Sequence, residues 1–110
     1  MKYVVTGGAG FIGSYITKML VKQNHNVTVI DNLHTGKEKN LESIKDEIVF
    51  VKGSILDNEL LENITRDVDG VFHQAALASV QDSFVKPNEY NDVNVNGTEN
   101  ILRLAKKNRF

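Results

Sequence analysis

The sequence predicts an α/β fold: a parallel sheet with helices on both faces, in the strand order 3-2-1-4. Three observations lead there. Short β-branched and aromatic runs alternate with longer segments of helical spacing. Those runs are continuously apolar rather than alternating, as strands covered on both faces are. A glycine-rich turn joins the first run to the first helical segment.

Each element has its own signal. Residues 2–6 (KYVVT) read as a strand that stops at Gly7-Gly8. Residues 11–23 read as a helix, with Ile12, Ile16, Met19 and Leu20 at helical spacing, ended by Asn24-His25-Asn26. Residues 27–30 (VTVI) form the second strand, a short helix is expected over 40–45, and residues 48–51 (IVFV) form the third strand. A further helix is expected over 58–64, striped by Leu60, Leu61 and Ile64, with Asp57 as its N-cap. Residues 70–73 (GVFH) are the fourth strand. The last helix begins near Pro87, the only proline, which suits a first turn. It carries Tyr90, Val93, Gly97, Ile101, Leu104 and Ala105 on one side, and Lys106, Lys107 and Arg109 at the end where positive charge complements the helix dipole. The order β-α-β-(α)-β-α-β-α implies parallel strands joined by crossovers.

Composition narrows the function classes. At 110 residues, 41% hydrophobic and 25% charged, the chain reads as one globular domain. Thirteen basic residues against 14 acidic give a net charge of −1, with no electrostatic ground for nucleic acid or an acidic membrane as partner. The absence of cysteine excludes disulfides, thiolate zinc sites and cysteine nucleophiles, and fits a cytoplasmic setting. No apolar run approaches the ~18–20 residues of a membrane span, and the opening residues lack a signal-peptide core. His25, His34 and His73 have no metal-ligand spacing, so no metal site is expected. His73 ends an apolar strand and reads as a packed, hydrogen-bonded histidine rather than a general base.

The most informative stretch is Thr6-Gly7-Gly8-Ala9-Gly10-Phe11-Ile12-Gly13. It fits G-x-G-x-x-G through Gly8, Gly10 and Gly13, and G-x-x-G-x-x-G through Gly7, Gly10 and Gly13. Such glycines allow a tight exit from the strand, approach of a pyrophosphate to the backbone, and close helix–sheet packing. The helix that starts there points free N–H groups and its positive dipole end at the phosphates. No Lys-Ser or Lys-Thr follows, which excludes a Walker-type loop. Asp31 ends the second strand, close to the ~20-residue spacing of a ribose-binding carboxylate. Its two oxygens can accept from both adenosine ribose hydroxyls, which favours NAD over NADP; Lys37 nearby softens that preference. The bland alternatives are an ordinary glycine-rich turn and a solvated strand-end acid.

These residues resemble the extended short-chain dehydrogenase/reductase family, and within it the NAD-dependent nucleotide-sugar epimerases and dehydratases, of which the UDP-glucose 4-epimerases look most similar. Four motifs carry the resemblance across essentially the whole chain: the T-G-G-x-G-F-I-G opening; Asp31-Asn32-Leu33-His34-Thr35-Gly36-Lys37 with Asn40-Leu41; His73-Gln74-Ala75-Ala76; and Asn94-Val95-Asn96-Gly97-Thr98 with Asn100. The resemblance implies a Rossmann-type fold and NAD as cofactor. It also implies roles. Gly7, Gly10, Phe11, Ile12 and Gly13 would cradle the pyrophosphate, Phe11 and Ile12 through backbone N–H groups. Asp31 and Asn32 would hold the adenosine ribose, with Leu33, His34, Thr35 and Gly36 along the same edge. Ser54 and Ile55 would flank adenine; Gln74, Ala75, Ala76 and Ala78 would form the wall beside the nicotinamide-side ribose. Asn94 would anchor that wall or touch the cofactor.

Two departures matter. The family's G-D-I-x-D reads Gly53-Ser54-Ile55-Leu56-Asp57 here, so adenine would meet a neutral hydroxyl, and charged hydrogen bonds are roughly twice as strong as neutral ones. The family's Tyr-x-x-x-Lys pair is also missing: Tyr3, Tyr15 and Tyr90 are followed four residues on by Gly7, Met19 and Asn94. Ser79 and Ser83 have no His-Asp relay, so no hydrolase is indicated. The expectation is therefore an N-terminal NAD-binding segment of a nucleotide-sugar epimerase, residues 1–110, with no catalytic residue and no sugar-binding domain of its own. A nucleotide sugar would be a partner only of a longer protein. The alternatives are a non-catalytic NAD-binding or sensing module, and a folded remnant that binds nothing. The fourth strand is expected at an exposed edge, and such edges favour self-association.

Overall fold

The computed structural model describes residues 1–75 and 84–110. Its centre is a four-stranded parallel sheet of β1 (Lys2–Thr6), β2 (Asn26–Asp31), β3 (Ile48–Lys52) and β4 (Gly70–His73), in the order β3-β2-β1-β4. Strand order and all four strands agree with the sequence reading, to within a residue at the ends. The register sets Thr6 opposite Ile30 and His73, and Asp31 opposite Lys52. The carboxyl ends of the strands thus share one edge of the sheet, where open α/β sheets bind ligands.

Alternation along β1 divides the core. Val4 packs with Ile30, Ile55, Leu61, Ile101 and Leu104, beneath helices α2 (Asn58–Thr65) and, later in the chain, α4 (Gly97–Asn108). Val5 packs on the opposite face with Ala9, Leu20, Val27, Val29 and Leu41, beneath α1 (Phe11–Lys22) and a 3-10 segment over Glu38–Glu47. The expected short helix at 40–45 is this 3-10 segment, whose one buried residue is Leu41. Asp57 caps α2 as expected, its Oδ1 accepting the Leu60 N–H at 3.2 Å.

Two helices differ in detail from their periodicity. In α1 the buried face is Gly13, Ser14, Thr17 and Leu20, while Ile12 and Met19 are 61% and 62% exposed. Close approach decides this. A Cβ on Gly13 would stand 2.1 Å from the Gly7 carbonyl oxygen, so small residues must face inward. Thr17 and Ser14 satisfy their own hydroxyls on the Gly13 and Phe11 carbonyls, which removes the penalty for burying them. The last helix is interrupted: α3 (Pro87–Asn91) passes through a π-helical turn at Asp92–Asn96 before α4 resumes. Such single turns are frequent at functional sites.

Among the described helices, none is long and apolar enough to cross a membrane.

Candidate functional site

The site is built around Ala9. Gly7 leaves β1 with φ +68°, a left-handed conformation that strongly favours glycine. That bend carries the chain across the sheet edge, and Ala9 is fully buried there. Its N–H donates to Asp31 Oδ2 at 3.0 Å; its carbonyl accepts from the Asn40 side chain at 2.8 Å and the Lys37 N–H at 3.0 Å. The stretch from Asp31 to Asn40 is thus a clamp on both polar atoms of one glycine-loop residue.

Asp31 is 8% exposed and has two further tasks. Its Oδ1 accepts the Leu33 N–H at 2.7 Å, and Asn32 repeats the pattern one residue on by accepting the His34 N–H at 3.0 Å. Leu33 is held between these turns at φ +62°, a strained backbone for a branched side chain. Both oxygens expected to face a ribose therefore already hold backbone N–H groups. Each carboxylate oxygen accepts more than one hydrogen bond, so capacity for hydroxyls remains.

The cleft in front of these residues is lined by Gly7, Gly10, Asp31, Asn32, His34, Thr35, Gly36, Ser54, Ile55, Gln74 and Ala75, all expected from the sequence. Ile30, Gly53 and Val93 line it as well. Gly53 stood in the quoted motif but was not singled out; Val93 is brought in by the π-helical turn, which no sequence signal marked. Other expected residues sit differently. Leu33 packs its partly buried side chain against the core cluster under α1, and its N–H is held by Asp31. Phe11 and Ile12 project exposed side chains away, with their backbone N–H groups and that of Gly13 at the open end of α1. Asn94 lies exposed in the π-helical turn, its carbonyl accepting the Thr98 hydroxyl. Ala76, Ala78, Ser79 and Ser83 fall outside the described residues.

The Ser54 hydroxyl accepts the Leu56 N–H at 3.1 Å, which turns it into a local bend. The motif on α4 closes the far side. Gly97 packs where a Cβ would meet the Ile55 side chain at 2.4 Å, and Asn100 donates to the Ile55 carbonyl at 3.0 Å. Ile55 is thereby fixed as a wall of the cleft. Gln74 and Ala75 are fixed from β1: both N–H groups donate to the Thr6 hydroxyl, at 3.0 and 3.1 Å. His73 is packed and hydrogen-bonded, as its position at the end of an apolar strand implied, with Nδ1 2.7 Å from the Thr6 hydroxyl. Burial lowers its pKa.

The chemistry fits an extended dinucleotide. Gly10 has an ordinary extended backbone (φ −75°), and a Cβ there would meet only the Gly7 carbonyl oxygen, at 3.3 Å. The protein's own backbone does not require glycine at this position. A side chain would instead fill the space beside the free N–H groups of α1, an end suited to an anion. No acidic residue occupies the first turn of α1 to compete for that end.

A parallel sheet with this glycine turn, an acid at the end of β2 and a helix N-terminus between them defines a dinucleotide-binding α/β domain of the Rossmann type. The chain belongs to the NAD dependent epimerase/dehydratase family, whose model matches residues 3–110. It is 45% identical over 105 residues to a putative UDP-glucose 4-epimerase of Methanocaldococcus jannaschii, covering 94% of this chain and 33% of that protein. It is 41% identical over 106 residues to a UDP-N-acetyl-alpha-D-glucosaminuronate decarboxylase of Bacillus cytotoxicus, covering 96% and 33%. Among solved structures, the Thermus thermophilus UDP-glucose 4-epimerase complex with NAD superposes with a TM-score of 0.86 at 38% identity, over 98% of this chain and 34% of that one. The chain therefore spans about a third of the length of the relatives it matches.

Proposed function

We propose that these residues form the adenosine and diphosphate half of an NAD site in a nucleotide-sugar epimerase of the UDP-glucose 4-epimerase type. The observation that carries this reading is the Asp31–Ala9 hydrogen bond, which couples the ribose-facing carboxylate to the loop in front of α1. The N–H groups of Phe11, Ile12 and Gly13 would bind the diphosphate, Asp31 and Asn32 the ribose, Ser54 and Ile55 the adenine edge. Gln74 and Ala75 would continue the wall toward the nicotinamide, with Ala76, Ala78 and Asn94 beyond them. When bound, NAD supplies reversible hydride transfer. This chain's own residues bind and orient; none of Tyr3, Tyr15 and Tyr90 has the lysine four residues on that would help a tyrosine act as base. The nucleotide sugar and its turnover are accordingly assigned to a longer protein, in the cytoplasm.

The glycine turn and Asp31 support equally well a second reading, a module that binds NAD without chemistry. Calorimetric titration with NAD tests the shared claim: binding that Asp31→Ala weakens supports it, and no heat at millimolar NAD overturns it. Conversion of UDP-galactose to UDP-glucose by the 110-residue chain would contradict both readings of its chemistry.

A further inference from the structure

Thr6 Oγ1 has three neighbours: the N–H groups of Gln74 and Ala75 and the His73 ring nitrogen Nδ1. A hydroxyl offers one donor and two acceptor positions. Two N–H groups fill the acceptor positions, so the Thr6 hydroxyl donates to Nδ1. The proton of a neutral His73 is then on Nε2, which stands 2.9 Å from the Thr98 hydroxyl oxygen. Thr98 in turn donates its own proton to the Asn94 carbonyl at 2.9 Å. One direction of donation runs through the chain Thr6, His73, Thr98, Asn94, joining β1, β4, α4 and the π-helical turn.

We propose that His73 is a positioning residue for the Gln74–Ala75 turn, acting through Thr6, and that the turn holds its place only while His73 is the neutral Nε2–H tautomer. A second ring proton would put a donor at Nδ1 against an oxygen already accepting twice. One N–H must then leave. Gln74 keeps the Thr6 carbonyl, to which its N–H also donates at 3.0 Å. Ala75 depends on the hydroxyl alone among the described residues, so Ala75 is released. Its loss matters because the Gly7 backbone is packed against the peptide between Gln74 and Ala75, where a Cβ would stand 2.8 Å from either atom of the bond.

The surroundings agree. Burial is the cause of the lowered His73 pKa, with no charged neighbour contributing among the described residues. On α4, Arg103 and Lys107 bind Asn58 and Glu62 on α2, while Glu99 is exposed and Lys106 lies two turns further on. Asp92 is engaged by Asn96, and Lys86 pairs with Glu89 beside Tyr90 in α3. Lys2, Tyr3 and Asp69 sit at the opposite end of β1 and β4.

The consequence for ligand binding rests on the proposed function, so the primary test does not use NAD. Ring-nitrogen and amide NMR of the labelled chain should show His73 protonated on Nε2 at about pH 8 and titrating below its ordinary 6.5. The Ala75 amide should shift with the same midpoint and more than that of Gln74, while His25 and His34 serve as references. Thr6→Val should uncouple ring and amide, and Thr6→Ser should restore them. An Nδ1–H tautomer, or an Ala75 amide indifferent to the His73 titration, would overturn the proposal. In calorimetry, NAD affinity should drop about tenfold as His73 protonates. Unchanged affinity across that titration would also overturn it, whereas no NAD binding at any pH refutes only the proposed function.

Discussion

The Asp31 carboxylate reaches back across the sheet edge to the buried N–H of Ala9, 22 positions earlier, at 3.0 Å. A residue read from sequence as a ribose ligand is therefore a structural strut of the glycine loop in front of α1. Its removal should be felt in stability as well as in affinity.

Asp31→Ala tests that double role. It leaves the Ala9 N–H buried without a partner, which costs about 1–3 kcal/mol. Urea denaturation should show that loss in the absence of any ligand. NAD affinity should fall by at least about tenfold, because charged hydrogen bonds to a ribose are lost with the loop geometry. A variant with unchanged urea midpoint would remove the strut from the account.

Gly10 and Gly13 should separate ligand from fold. Gly10→Ala meets only the Gly7 carbonyl oxygen at 3.3 Å, so its stability should change by less than about 1 kcal/mol while NAD affinity falls. Gly13→Ala would place a Cβ 2.1 Å from the same oxygen. That is a backbone clash inside a helix–strand contact, and overpacking of this kind costs about 1–3 kcal/mol or more. Thermal melts of the two variants, side by side, make the comparison.

Stability should fall with acid in two stages. The folded-state pKa of His73 is lowered from 6.5, so its neutral form is the one the fold favours. Its contribution is complete above 6.5 and is lost as pH drops through the lower folded value. The Glu62 pKa is lowered from 4.5, first by its hydrogen bond to Lys107 and then by that residue's charge. Its contribution is present above 4.5 and disappears as pH falls through its folded value. Urea midpoints across pH should show His73→Gln removing the first stage, and Lys107→Gln flattening the second. Salt should weaken only the second, since that pair is exposed.

The edge strand β4 should make the chain self-associate. One side of β4 pairs with β1 and the other has no partner strand among the described residues, and Phe72 is 38% exposed against Tyr3 at 5.5 Å between ring centroids. Edges with apolar side chains template pairing between chains. Light scattering over a concentration series should show dimers or larger species, and Phe72→Lys should shift them toward monomer. A wild-type monomer throughout the series would count against the edge.

Much of this was legible in local patterns. Continuous apolar runs mark the four strands because both sheet faces are covered, and their order is that of the doubly wound fold to which the glycine turn points. The Asp57 cap was readable for the same local reason: its side chain serves an N–H three residues away. The buried face of α1 was not. Apolar periodicity pointed to Ile12 and Met19, but contact with the Gly7 carbonyl selects Gly13, Ser14 and Thr17.

What the amino-acid sequence determined by itself was the sheet and the cluster of cleft-lining residues, since these follow from period, spacing and turn chemistry, with the strand order set by the doubly wound fold they point to. What only the tertiary structure decided was how the motifs hold one another. Asp31 and Asn40 close on Ala9, Thr98 meets Nε2 of His73, and Asn100 fixes Ile55. Each of those bonds joins residues 22 to 45 positions apart, and hydrogen-bond direction over such distances is set by packing, not by neighbours in the chain.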